Sequence, residues 1–103
     1  MENEYVLFPK AQEDLENIFK YISVTLANKD AALHLINKFE AKFNSLALFP
    51  NAYPQINHPG VKVENARKCR IDNFMIIYVY DDANSNIEII RIVHCKQNIY
   101  RML

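Results

Sequence analysis

Only one of the 103 residues is glycine and four are proline, and no segment is repeated or of low complexity. With half of the residues hydrophobic, this scarcity excludes a disordered or linker-like chain and points to one folded globule. No long apolar run is present either. The longest unbroken one is Phe74 to Tyr80, far short of the roughly 20 residues that a membrane-crossing helix needs. Glu2 and Glu4 precede any apolar stretch, so the start does not read as a secretory signal, and a cytoplasmic protein without a membrane partner is expected. Cysteine is scarce. Cys69 and Cys95 form no C-x-x-C pair and fit reduced thiols better than a disulfide. With His58 and His94 they lack metal-site spacing, so neither a metal nor any other cofactor is expected.

A chain of this length holds one core, and a single domain over residues 1–103 is expected. Formal net charge is zero, which argues against strong non-specific binding to nucleic acid. The halves differ in sign. Residues 1–50 carry five Lys against seven Asp and Glu, while residues 51–103 carry seven Lys and Arg against five Asp and Glu. A local basic surface is therefore to be sought in the second half, among Lys62, Arg67, Lys68, Arg70, Arg91, Lys96 and Arg101.

Residues 3–8 read as a short strand of β-favouring side chains that Pro9 ends. Ala11, Leu15, Ile18, Phe19, Ile22 and Leu26 recur at steps of three and four, predicting a helix over about 10–27. Glu13, Asp14 and Glu16 lie early in it, where the helix dipole favours acids. Asn28 is a plausible N-cap for a second helix over about 29–48, with Ala32, Leu35, Ile36, Phe39, Phe43 and Leu46 as its stripe. Pro50, Pro54, Pro59 and Gly60 mark residues 50–61 as irregular. Three strands follow, at about 62–71, at Phe74–Tyr80 and at Ile87–Val93, the last two joined by a turn-rich segment over 81–86. Residues 96–103 form a short tail with room for one helical turn. The fold class this order predicts is α+β: a helical hairpin packed on one face of a four-stranded antiparallel sheet that the first strand joins.

Four stretches resemble the RelE/ParE toxin superfamily, which includes plasmid stabilisation proteins. Ala11, Asp14, Leu15, Ile18 and Tyr21-Ile22 are similar to its A-x-x-D-L-x-x-I-x-x-Y-I helix. Leu46 with Phe49-Pro50 is similar to the end of its second helix. Arg67 to Tyr78 resembles its basic strand followed by an apolar one, and Ile89 to His94 resembles I-x-R-I-x-H. The resemblance implies the toxin of a type II toxin–antitoxin module, with a twisted antiparallel sheet under two helices and a cognate antitoxin as partner. It also implies one of two activities. RelE-like members are ribosome-dependent endoribonucleases that cleave mRNA, whereas ParE-like members inhibit DNA gyrase by binding.

Metal-free RNA cleavage needs a base, an acid and cations around the phosphate. Arg70, Arg91 and Lys96 are the candidates for charge, and His94 and Tyr100 for proton transfer. Each has a plainer reading: Arg70 and Arg91 can pair with Asp72 or Glu88, and His94 can be an ordinary hydrogen-bonded strand-end residue. The expected patch centres on Arg70, Arg91 and His94, with Lys96 and Tyr100 at its edge. Arg91 and His94 are three apart, so a bulge or an early strand end is required to bring them to one face. The tail holds only Lys96 and Arg101 as cations. Together with the neutral net charge this favours a ParE-like growth inhibitor over an RNA-cleaving enzyme, with a relative that only binds antitoxin as the third reading.

Overall fold

The computed structural model describes residues 4–97. Tyr100, Arg101 and most of the expected tail turn lie outside the described residues. The elements run β1 (Glu4–Leu7), α1 (Pro9–Lys20), a π-helical turn (Tyr21–Thr25), α2 (Lys29–Leu48), β2 (Ala66–Ile71), β3 (Phe74–Asp81) and β4 (Asn86–His94). No helix among the described residues is long and apolar enough to cross a membrane.

Local chemistry accounts for the helices. Pro9 opens α1, where a missing N–H costs nothing. No acid lies in its first turn, so Glu13, Asp14 and Glu16 are not the dipole partners that their early position suggested. The wide turn at Tyr21–Thr25, with Leu26 N–H donating to the Tyr21 carbonyl, ends α1 short of the expected residue 27. Asn28 caps α2 as its residue type predicts, its side chain accepting from Ala31 N–H at 3.0 Å. The chain has almost no glycine, so left-handed backbone falls on Ala27, Asn65, Asp72 and Ser85.

Both helices pack on one face of a sheet ordered β1-β4-β3-β2. The three C-terminal strands form an antiparallel meander, joined by the two-residue turn Asp72-Asn73 and by residues 82–85. The sheet is nevertheless mixed, which corrects the antiparallel expectation: β1 runs parallel to β4, Glu4 opposite Asn86 and Leu7 opposite Ile89. Alternation of side chains is the same in either direction, so the β1 sequence carries no sign of it. Direction is set by where the intervening helices and residues 49–65 deliver the chain to β2. Strand β2 also starts four residues later than expected. Val63 instead packs against the sheet from the side opposite the helices.

The core between helices and sheet holds Ala11, Phe39, Phe43 and Leu46 against Cys69, Ile76, Tyr78, Ile87, Ile89 and Ile92. A smaller cluster on the far face joins Ala66, Ile77 and Val93 to Ile56 and Val63. Burial on both faces explains why β3 reads as an unbroken apolar run. In β4 the register slips between Ile77 and Tyr78, where Ile77 faces Arg91 and Tyr78 faces Ile89, leaving Ile90 as the extra residue of a bulge. The bulge shifts the phase of the strand. Ile87, Ile89 and Ile92 all reach the helix side although their spacing does not fit a regular strand.

Candidate functional site

Three of the second-half cations, Lys68, Arg70 and Arg91, start from the sheet face away from the helices. In register, Lys68, Ile77 and Arg91 form one row across β2, β3 and β4, and Arg70, Met75 and Val93 form the next. Alternation therefore puts Arg70 and Arg91 on the same face. With strands about 4.8 Å apart, their backbones stand roughly 10 Å from each other across β3.

The two arginines are not equivalent. The Arg91 guanidinium is held by Asp14 of α1 through two hydrogen bonds, Nε to one carboxylate oxygen at 2.7 Å and a terminal nitrogen to the other at 3.0 Å. The first oxygen also accepts the backbone N–H of Ile92 at 3.0 Å. Both side chains are mostly buried, and the contact raises the already high pKa of Arg91. β1 covers only residues 86–89 of β4, so the Asp14 carboxylate takes the place of a strand beyond them. The pairing of Arg91 with Glu88 that the sequence allowed is not the one made. Arg70 is exposed, and its Nε donates to the backbone carbonyl of Asp72 at 2.8 Å. The Asp72 carboxylate goes to Lys38 instead, at 3.2 Å.

His94 lies on the helix face, opposite Arg91. The bulge at Ile90 precedes both residues and leaves their opposition intact. The His94 ring meets Phe74 edge-on at 5.4 Å, and its Nδ1 accepts the backbone N–H of Lys96 at 3.1 Å. The expected patch thus divides. Arg70 and Arg91 share a face, His94 does not join them, Lys96 follows His94 in a turn, and Tyr100 lies outside the described residues. No group of three His, Cys, Asp or Glu suited to a metal occurs among the described residues.

Beside Arg70 a groove of about 460 Å³ runs along the outer edge of β2 against α2, lined by Lys38, Lys42, Ser45, Arg70 and Ile71. Lys42 donates to the Tyr53 hydroxyl at 2.8 Å, which raises its pKa and keeps it charged. Arg67 donates to the Tyr53 carbonyl, and the Tyr78 hydroxyl to the Pro50 carbonyl at 3.1 Å, so residues 50–53 are tied to the sheet. A bridge between Gln55 and Arg67 covers the start of the β2 edge, and no strand pairs with the remainder among the described residues. Lys42, Tyr53 and the structural role of Asp14 were missed from the sequence. Asp14 had a signal, since it falls between Ala11 and Ile18 inside the apolar stripe, where a carboxylate needs a buried partner.

A profile of the ParE toxin of the type II toxin–antitoxin system parDE matches residues 5–99. Among solved structures, the chain resembles one from the chromosomal ParDE toxin–antitoxin system of P. aeruginosa, with TM-score 0.68 and 20% identity over 91% of this chain and 96% of that one. It resembles one from the toxin–antitoxin complex RelBE2 of Mycobacterium tuberculosis, with TM-score 0.64 and 15% identity over 91% and 99%. It also resembles a metal-bound toxin from Helicobacter pylori, with TM-score 0.53 and 15% identity over 91% and 94%. At these identities the likeness is one of fold. No curated protein matches by sequence.

Proposed function

The chain belongs to the ParE toxin family of type II toxin–antitoxin systems, and on that premise we propose that it is a ParE-like growth inhibitor, acting by binding a target such as DNA gyrase and held inactive in the cytoplasm by a cognate antitoxin. The observation that carries this reading is the commitment of Arg91 to Asp14. A nuclease built on this sheet face needs cations free to take up phosphate charge, with a proton-transfer group beside them. Here one central arginine closes the edge of its own sheet, and the histidine lies on the other face. What is left, Arg70 and Lys68 beside exposed strand edge, suits binding.

The antitoxin follows from the same surface. A basic groove along a strand edge that no other strand covers among the described residues suits an acidic, extended segment. The solved complexes that share this fold are of toxins with antitoxins, which supports such a partner here.

Controlled expression in a bacterium tests the proposal. Growth arrest with filamentation and DNA damage, relieved by co-expressing the neighbouring small gene, is the expected result. Supercoiling by purified DNA gyrase should fall on adding the chain, and Arg70→Ala should weaken that effect. Transcript cleavage abolished by His94→Ala would overturn the reading in favour of a RelE-like endoribonuclease. Loss of neither growth nor supercoiling, with antitoxin binding intact, would leave a relative that only binds its partner.

A further inference from the structure

A second pocket, of about 200 Å³, lies at the opposite end of β2 from Arg70 and is lined by Asn51, Gln55, Asn65, Arg67, Tyr80 and Asp82. Its walls come from the loop after α2, the start of β2 and the end of β3, on the sheet face that carries Tyr78. Drug-sized ligands occupy about 300–1,000 Å³, so this pocket suits a single ring system.

Its lining is almost wholly polar. No aliphatic side chain lines it. Three primary amides, each both donor and acceptor, line it together with one guanidinium and one carboxylate. The rim is fixed by its own backbone. Gln55 is bridged to Arg67, Ile56 N–H donates to the Ala66 carbonyl at 2.7 Å, and Asn65 is held in the left-handed region at φ 60°. Arg67 is steadied by its bond to the Tyr53 carbonyl, which uses one of the five N–H donors of a guanidinium. Asp82 also lines the pocket, yet Arg67 and Asp82 form no ion pair, among the described residues, across it.

We propose that this pocket binds a guanine base. A carboxylate and a guanidinium that line one small cavity without pairing with each other suit a ligand with paired donors on one edge and paired acceptors on another. Guanine has N1–H and the 2-amino group along one edge, for Asp82, and O6 with N7 along another, for Arg67. Adenine lacks an acceptor at position 6, and the pyrimidines have no edge equivalent to O6 and N7. The amides of Asn51, Gln55 and Asn65 supply the remaining in-plane partners, and Tyr80 the aromatic surface on which bases commonly stack. The site is separate from the Arg70 groove and does not depend on the gyrase reading. Guanine is presented alike by a free nucleotide and by an exposed single strand, and the shared base is what the pocket recognises.

The test is titration of the purified full chain with GMP, AMP, CMP and UMP, followed by backbone-amide NMR. GMP should shift Gln55, Asn65, Arg67 and Asp82, with the other three binding about tenfold more weakly or worse, within the range of one bidentate base contact. Asp82→Asn is the informative variant. Asp82 is exposed and has no ion pair among the described residues, so a thermal melt should show an unchanged fold. It should lose GMP about tenfold and gain xanthosine monophosphate, whose 2-carbonyl accepts from the new amide. A guanine-containing trinucleotide that binds no better than GMP identifies the free nucleotide as the ligand, and one that binds more tightly identifies the strand. Equal shifts from all four nucleotides, or an Asp82→Asn variant that keeps full GMP affinity, would overturn the proposal, as would no shift at millimolar nucleotide.

Discussion

The sheet has two long sides, and they are finished in opposite ways. On one, β1 pairs with the first residues of β4, and where β1 stops the Asp14 carboxylate accepts the Ile92 N–H and holds Arg91. On the other, Gln55 is what covers β2 among the described residues, near its start, and the rest borders a groove carrying Lys38, Lys42 and Arg70. Arg91 and Arg70 thus share a face and a residue type but differ in employment. The first contributes to the fold, and the second is available to a partner. Closing one edge internally leaves the other as the edge to which a strand-like segment can add.

The strongest way to break this comparison is to remove what both edges lean on. Ile76 in the central strand and Phe39 in α2 are fully buried. Ile76→Ala or Phe39→Ala should lower stability by about 2–5 kcal/mol. A thermal melt unchanged for either would mean that the core has been misplaced.

The closed edge is the next target. Asp14→Ala leaves a mostly buried guanidinium and the Ile92 N–H without their acceptor, a loss of about 1–3 kcal/mol. Hydrogen exchange at Ile92 should accelerate together with its neighbours in the second half of β4. If exchange there stays as slow as in β3, the carboxylate is not closing the edge.

Tyr78 sharpens the contrast from beneath. Burial pushes its pKa up to about 12 from an ordinary value near 10. The folded state therefore keeps a proton that the unfolded state releases, so the stabilisation of the neutral form is complete below pH 10 and declines as pH rises towards 12. Tyr78→Phe should remove that decline and, by losing the bond to Pro50, cost about 1 kcal/mol at neutral pH. Melting curves of both proteins between pH 8 and 12 decide it. A decline of the same slope in the variant would assign it to other groups.

Much of this was legible beforehand. Helix α2 matched its expected bounds because a cap, a stripe and a following proline agree on them. Strand β3 was clear because burial on both faces keeps charged residues out of Phe74–Tyr80. The misses share a cause, since each depends on a neighbour distant in sequence. The parallel direction of β1 depends on the route of the chain between, the phase shift at Ile90 on what β3 presents opposite, and the role of Asp14 on an edge that β1 leaves uncovered. Arg70, Arg91 and His94 were sound candidates as residue types. Pattern alone could not divide them between a free surface, an internal clamp and the opposite face.

The smallest expected effect on stability falls at the open edge, and there the comparison makes its most specific claim. The Lys38–Asp72 pair is close to half exposed at both ends, so it adds little to the fold. Arg70 is exposed and, among the described residues, bonds to the nearby Asp72 carbonyl. Arg70→Glu and Lys38→Glu should each change stability by no more than about 0.5 kcal/mol, as is usual for surface positions. If an acidic antitoxin segment lies along this groove, the same reversals should weaken its binding strongly, more in low salt than in high, because screening removes the repulsion they introduce. Co-purification and calorimetry at two ionic strengths with the cognate partner provide the measurement. Affinity unchanged in both variants would place the antitoxin elsewhere, and the apolar groove formed by Leu7, Leu15, Phe19 and Ile36 would be the next surface to alter.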